Sequence, residues 1–249
     1  MRHTNLLTME KNKYSFAVIL ITSLFFLWGF AHNMNPILIP HLKKACQLND
    51  FQSALIDSAF YIGYFVMALP AGYFMKRYGY KGGIVTGLLL FAVGAFLFYP
   101  AAEVRVFSLF LAALFIIASG LTFLETAANP YITVLGDPAT ATQRLNFSQS
   151  FNGLAATLAP FVGGLFILSG KTLSDADKQL LSAEQLDRYL TNEASSVQLP
   201  YIIIGVTVLL VTLLLWRTKL PDIKEEGHAD GIDRSVLKEK NLVLIKKTT

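Results

Sequence analysis

The chain has 249 residues, of which 53% are hydrophobic and only 15% are charged, whereas a soluble domain carries about 25% charged residues. This composition excludes an ordinary soluble domain and predicts an integral membrane protein whose partner is the lipid bilayer. The formal net charge is +4, but the basic residues lie between and after apolar runs rather than on one helix face, which argues against a nucleic-acid partner.

Six apolar runs follow one another along the chain, each about long enough to cross a bilayer as a helix. They cover approximately residues 15–40, 52–75, 82–100, 106–135, 145–168 and 199–216. The first run is too long for the apolar part of a signal peptide and precedes no small-residue cleavage site, so it is predicted to remain as a span. We therefore expect an all-α membrane protein, with a six-helix bundle over 1–220. Residues 221–249 are predicted to be a cytoplasmic linker that stops before a second bundle.

The basic residues between the runs predict the orientation. Lys76, Arg77 and Lys81 lie between the second and third runs, and Arg217 follows the sixth. Basic loops are typically cytoplasmic, so both termini are predicted inside and the acidic loop 170–198 outside. Within that loop, the sequence Ser-Ala-Glu-Gln at 182–185 is typical of the start of a short helix. The predicted location is a bacterial inner membrane.

The first and fourth runs resemble each other. Asn35 and Pro36 are predicted to interrupt the first, Asn129 and Pro130 are predicted to interrupt the fourth, and each pair follows a Phe-Leu pair. Because the two runs enter the membrane from opposite sides, this pattern predicts an inverted three-plus-three repeat. The alternative is chance, since proline and glycine are frequent in membrane helices.

Glu125 is the clearest polar residue inside an apolar run. A charged group deep in a membrane helix costs at least about 2.5 kcal/mol, so such groups are candidates for function. Thr122 and Asn129 share its helix face. Because loss of water disfavours the charged form of a carboxyl group, we expect Glu125 to gain and lose a proton. The alternative is a glutamate permanently paired with a cation.

The first run carries Trp28, His32, Asn33 and Asn35 within two helical turns. Amide hydrogen bonds together with aromatic contact suit a neutral polyol in a pocket with a few polar groups. Trp28 alone is more simply a packing residue or an interface anchor. His32 is either a functional titratable group or a structurally hydrogen-bonded histidine.

Two other runs add candidate contacts. Gln149 and Asn152 lie three residues apart in the fifth run, where they either read the hydroxyl pattern of a substrate or bond neighbouring helices. Asp57, Tyr61 and Tyr64 share a face of the second run. Asp57 lies near the external end, where an acid can simply sit in water.

The sequence offers no pattern typical of an enzyme or a metal site. It has no nucleophile elbow and no phosphate-binding glycine loop. The four histidines are scattered over different segments, and Cys46 is the single cysteine. We therefore predict no catalytic residue, no metal and no cofactor apart from a proton gradient.

Four segments together resemble the fucose/galactose/glucose proton symporter family of the major facilitator superfamily. They are FFLWGFAHNMNP (25–36), SAFYIGYF (58–65), LETAANP (124–130) and RLNFSQSFN (144–152). The resemblance extends over about residues 16–217, and LETAANP is its most specific part. It implies that the chain is the N-terminal half of a twelve-helix transporter, with a C-terminal six-helix half as its missing partner.

The resemblance also implies roles for individual residues. Glu125 falls on the essential membrane carboxylate, and Asn33, Gln149 and Asn152 fall on amides that line the substrate site. Fucose permeases have an aspartate after the asparagine of the first helix, implicated in proton transfer, where this chain has Pro36. Glu125 is therefore expected to act alone or with His32.

The sequence thus predicts a secondary active symporter that imports L-fucose or a related monosaccharide with protons by alternating access. The rivals are a non-transporting sugar-binding membrane sensor or fragment, and a transporter of another solute. The expected proton-coupling residues are Glu125 and His32. The expected substrate-binding residues are Trp28, Asn33, Asn35, Tyr61, Gln149 and Asn152.

Overall fold

The computed structural model describes residues 2–167, 173, 177–178, 180–218 and 220, with side chains from residue 15 onward. The predicted tail 221–249 and the end of the fifth run at residue 168 lie outside the described residues. Every regular element among them is helical. The helices are α1 (Arg2–Ala45), α2 (Asp50–Val104), α3 (Phe107–Val134), α4 (Ala141–Phe166), α5 (Ala183–Ser195) and α6 (Gln198–Arg217), with a 3₁₀ turn at Pro138–Thr140 before α4.

Helix α2 contains two of the predicted spans. Its 55 residues would extend about 80 Å, more than twice the about 30 Å of a hydrocarbon core. Gly79 interrupts it with φ 74° and ψ 172°, a conformation that a side chain would strain and that glycine adopts freely. The second and third runs are therefore separated by a one-residue break within the basic segment.

Four described helical stretches are long and apolar enough to cross a membrane: Ser15–Ala45, Asp50–Val104, Phe107–Val134 and Ala183–Arg217. Since the second of them holds two spans, these account for five of the six predicted runs. The remaining run is the fifth, which forms α4. The first half of this helix is rich in amide and hydroxyl side chains. All six runs are helical in the structure, as predicted.

The prediction that Asn-Pro pairs interrupt the first and fourth runs is wrong. Pro36 lies inside α1 and Pro130 lies inside α3. A proline removes one backbone hydrogen bond, but neighbouring helices and hydroxyl side chains offset this loss within a membrane bundle.

The core lies between the two halves of α2 and the helices around them. Helix α2 packs mainly against α3, α1 packs against α4, and α6 packs against α2. A Cβ at Gly87 of α2 would lie 2.7 Å from the Gly120 carbonyl oxygen of α3, so these backbones touch. Near α6, the Phe98 ring stacks on Tyr201 with centroids 3.7 Å apart.

Basic side chains close one end of the bundle, which we call the Gly79 end. Lys81 Nζ donates to the carbonyls of Trp216 at 3.1 Å and Thr218 at 2.8 Å. Arg144 donates to the carbonyls of Ile132 at 3.2 Å and Thr133 at 2.8 Å. Cations are favourable at helix C-termini, where carbonyl groups lack helical partners. Lys81 and Arg144 therefore stabilise the ends of α6 and α3.

Helix α5 lies at the other end, which we call the α5 end. It begins as predicted, since Ser182 and Gln185 form a reciprocal capping box. Glu193 of α5 lies 3.0 Å from Lys44 Nζ and 3.5 Å from His41 Nδ1. We call His41, Lys44 and Glu193 the outer clamp, because it joins the end of α1 to α5.

A second contact joins α5 to the end of the third span. Arg105 Nη2 donates to Asp187 Oδ1 at 2.8 Å, and its Nη1 lies 3.3 Å from the Thr191 hydroxyl. Arg105 itself has φ 50° and ends α2 in the left-handed conformation. Helix α5 thus contacts the ends of two spans.

Candidate functional site

Glu125 lies in α3, 18 residues after the start of that helix and nine before its end. Its side chain is partly buried and forms no hydrogen bond or ion pair with another described residue. Its carboxyl group lies close enough to the Tyr64 hydroxyl of α2 to interact with it electrostatically. The predicted alternative of a permanent pairing with a cation is therefore not found among the described side chains.

The two amides predicted on the fifth run join α4 to its neighbours. Gln149 Nε2 donates to Asn129 Oδ1 at 3.1 Å, and Asn129 lies one helical turn beyond Glu125. Asn152 packs directly on α1, since a Cβ at Gly29 would lie 2.9 Å from its Cγ. Gln149 is exposed and Asn152 is partly buried, so both amides retain donors or acceptors for a ligand.

Asn33 belongs to the same side of α1. Its Nδ2 donates to the Gly29 carbonyl at 2.7 Å, one turn earlier in the helix and next to Asn152. The structure thus places Asn33 and Asn152 at the α1–α4 contact, whereas Gln149, three residues before Asn152 in α4, contacts α3. We call these three residues the amide face.

Trp28 is mostly packing. It is buried, with a ring centroid 5.4 Å from that of Phe25, as expected for a packing residue. Its indole also lies next to the Tyr64 hydroxyl, whose oxygen is buried without a well-formed hydrogen bond. Trp28 therefore contacts the surroundings of Glu125 through Tyr64.

His32 and Asn35 face α2 rather than the amide face. Asn35 is buried, and its Nδ2 donates to Asp57 Oδ1 at 2.6 Å. The His32 ring meets Phe60 and Tyr64 edge-on, with centroid distances of 5.4 Å and 6.2 Å. The sequence predicts Asn35 as a substrate contact and Asp57 as an acid that can sit in water, and gives no sign that the two residues are bonded.

Tyr61 lies apart from both groups. Its side chain is 58% exposed, and its ring meets Phe60 edge-on at 6.0 Å. It lies on a face of α2 that also exposes Phe65 and Leu69. Among the described residues, Tyr61 has no polar contact with the other predicted ligands.

A cavity of about 540 Å³ opens between α1, α4 and α6. Its lining includes Val18, Phe26, Phe147, Phe151 and Val211, and none of the predicted site residues belongs to it. A sugar requires hydrogen-bond partners for its hydroxyl groups, so this apolar cavity does not suit one. Among the described residues, no group of three or more His, Cys, Asp or Glu side chains is placed to hold a metal ion.

Comparison with known proteins identifies related chains. The family model of the Major Facilitator Superfamily matches residues 19–247. The L-fucose-proton symporter of Escherichia coli strain K12 is 48% identical over 89% of this chain and 51% of its own length. The glucose/galactose transporter of Brucella abortus biovar 1 is 43% identical over 95% of this chain and 55% of its own length.

Solved structures give the same result. A crystal structure of the Major Facilitator Superfamily transporter FucP in the outward conformation matches with a TM-score of 0.77 and 48% identity, over 88% of this chain and 53% of that chain. A variant of the E. coli fucose:proton symporter matches with a TM-score of 0.76 and 44% identity. The chain spans about half the length of the curated relatives that it matches.

Proposed function

The chain belongs to the Major Facilitator Superfamily, and we propose that it is the N-terminal six-helix half of a symporter that imports L-fucose or a related monosaccharide with protons. Residues 1–220 form the transporter bundle in this proposal, and 221–249 link it to a second six-helix half. The relatives named as an L-fucose-proton symporter and a glucose/galactose transporter support the substrate class.

Glu125 carries the proposal. It is a carboxyl group inside α3, partly buried and without a described hydrogen-bond or ionic partner. A group that is expensive to place in a membrane is retained most simply where its charge changes during function. In the proposed cycle, Glu125 holds a proton while the site faces the outside and releases it inside, and His32 assists.

In this proposal the amide face provides hydrogen bonds to the sugar. Asn33, Gln149 and Asn152 offer carbonyl oxygens and N–H groups, and an amide can both donate to and accept from a hydroxyl group. They lie near the middle of the bundle rather than at either end of α1 and α4. Transporters of this architecture bind substrate at such a depth, between two helical halves.

Other predicted contacts complete the proposed site. Trp28, which precedes Gly29 in α1, and Tyr61 of α2 are further contacts in this proposal, whereas Asn35 donates to Asp57. We propose that Asn33, Gln149 and Asn152 provide the principal hydrogen bonds. Alternating access then exposes the site first outside and then inside, with both termini in the cytoplasm of a bacterial cell.

Uptake of labelled sugar tests this proposal. The chain is expressed in bacteria that lack their own L-fucose and hexose uptake, both alone and together with the C-terminal half of the E. coli symporter. We expect the pair to accumulate L-fucose, D-galactose or D-glucose, and an imposed inward proton gradient to increase accumulation. A protonophore should abolish the increase.

Matched variants separate the proposal from its rivals. Glu125→Gln should reduce gradient-driven accumulation by a much larger factor than it reduces sugar exchange. Glu184→Gln, on the exposed surface of α5, serves as the control. Binding of sugar by the wild type without any transport would favour a sensor, and failure of all three sugars to bind would reject the substrate class.

A further inference from the structure

A hydrogen bond between the side chains of Asn35 and Asp57 joins α1 to α2 inside the described spans. Asp57 lies seven residues into α2, about 10 Å along the helix from the α5 end. Its Oδ1 accepts from Asn35 Nδ2 at 2.6 Å, and Asn35 is only 5% exposed. Such a short bond from a buried amide fixes the carboxylate in position.

Asn35 can serve both protonation states of this acid. Its N–H groups donate to a carboxylate, whereas its carbonyl oxygen can accept from a protonated carboxyl group. That oxygen, Asn35 Oδ1, is buried without a hydrogen-bond partner among the described residues. An unsatisfied buried acceptor is costly, and rotation of the amide would pair it when Asp57 carries a proton.

Polar side chains lie between Asp57 and Glu125. Asp57 interacts electrostatically with His32, the His32 ring lies 6.2 Å from the Tyr64 ring, and the Tyr64 hydroxyl interacts with Glu125. The titratable groups on the two helices beside Asp57 are His32 on α1 and Tyr61 and Tyr64 on α2 itself. Glu125 on α3 lies beyond Tyr64.

These groups are ordered by depth. Measured from the α5 end along each helix at about 1.5 Å per residue, Asp57 lies at about 10 Å, His32 and Tyr64 at about 20 Å, and Glu125 at about 27 Å. His32 and Tyr64 therefore lie at an intermediate depth between the two acids. The sequence places no other acid more than about one turn inside a described span from residue 15 onward.

We propose that Asp57 is the outer proton-binding group of this transporter and that Asn35 is its positioning residue rather than a sugar ligand. The inference rests on the proposed proton-coupled transport. A proton from water at the α5 end binds a carboxylate oxygen of Asp57. It passes to a ring nitrogen of His32, which restores the Asp57 carboxylate, and then by way of Tyr64 to the carboxylate of Glu125. One proton is transferred, and only O–H and N–H bonds form and break.

Asp57→Asn distinguishes this role from a structural one. The substituted amide still offers a carbonyl oxygen to Asn35 Nδ2, so the contact between α1 and α2 is retained while proton binding is lost. Glu103→Gln is the control, because Glu103 is also an acid of α2 but lies at its end, 3.2 Å from Gln198 Nε2. The exchange variant, Asn35→Asp with Asp57→Asn, moves the carboxyl group from α2 to α1 and keeps an amide as its partner.

The first measurement uses the purified chain without sugar. In a Trp216→Phe background, the fluorescence of Trp28 is titrated between about pH 5 and about pH 8, where histidine changes charge. We expect Asp57→Asn to shift the midpoint by about one pH unit or to remove the transition, and Glu103→Gln to leave it in place. An unchanged midpoint in Asp57→Asn would show that Asp57 is not connected to this site.

The second measurement uses the transport assay described above. Asp57→Asn should lower gradient-driven accumulation at least about tenfold more than it lowers sugar exchange, and the exchange variant should recover part of the loss. If the wild type accumulates sugar and Asp57→Asn accumulates it equally, this inference fails while the proposed function stands. If the wild type transports none of the sugars, the proposed function fails, and the fluorescence titration still decides whether Asp57 is connected to Trp28.

Discussion

Replacement of Gly29 by alanine tests the contact that builds the amide face. A Cβ at this position would lie 2.9 Å from Cγ, 2.9 Å from the carbonyl oxygen and 3.0 Å from Cα of Asn152. Favourable carbon contacts begin at about 3.5 Å, so α1 and α4 must separate by roughly half an ångström. Two of the three atoms are backbone, so a change of side-chain rotamer does not relieve the overlap.

Gly153→Ala provides the matched control for this variant. Gly153 follows Asn152 in α4, and a Cβ there would meet nothing within 4 Å. Both variants gain up to about 1 kcal/mol of helix propensity, and only Gly29→Ala pays an overpacking cost of about 1–3 kcal/mol. The difference in unfolding free energy between the two variants should therefore be about 1–3 kcal/mol, or about 2–12 °C in midpoint for a bundle of this size.

Thermal unfolding in detergent measures the difference. Cys46 is the single cysteine and is partly buried, so a thiol-reactive dye that fluoresces on coupling reports its exposure as the chain unfolds. Gly29→Ala should also weaken sugar binding, because it displaces Asn152. Equal midpoints and equal sugar binding for the two variants would refute the close α1–α4 contact and its connection to the site.

Three further predictions concern the ends of the bundle. Glu193→Gln should destabilise the fold by about 1–3 kcal/mol, because it leaves the other two residues of the outer clamp without an anion. Glu184→Gln, at an exposed position, should cost less than about 0.5 kcal/mol. Equal thermal unfolding midpoints for the two variants would contradict the clamp. In a Cys46→Ser background, a membrane-impermeant reagent applied outside should label Ser182→Cys and not Lys76→Cys, and the reverse pattern would overturn the proposed orientation. Burial raises the pKa of the Cys46 thiol, so its alkylation in the folded chain should be slow near neutral pH. The alkylation rate should still increase with pH where that of a free thiol has become constant. A rate equal to that of the unfolded chain would contradict this prediction.

Much of the fold could be predicted because the signals are local. Six apolar runs, a basic break near Gly79 and a capping pattern at Ser182 each depend on residues close together in sequence, and each corresponds to an observed element. The predicted interruptions at Pro36 and Pro130 were wrong because tertiary contacts in a bundle offset a missing hydrogen bond. The effect of a proline depends on neighbours that the local sequence does not specify.

The site was less predictable because its contacts cross between helices. Helical spacing places Gln149 near Asn152, but it could not show that they contact different helices. Nor could it show that Asn35 points to Asp57 on another helix. The sequence shows His41 only as one of four scattered histidines. In the structure it is buried beside Glu193, far along the chain. The local sequence offers only a weak signal of such a partner, since Lys43 and Lys44 follow His41 at the end of an apolar run.

The outer clamp also restricts how the bundle can move. Helix α5 contacts α1 through Lys44 and His41, and it contacts the end of α2 through Arg105. A helix held in this way at its tip cannot bend outward separately without breaking charged contacts. Any opening at the α5 end is therefore expected to move α5 together with the ends of α1 and α2.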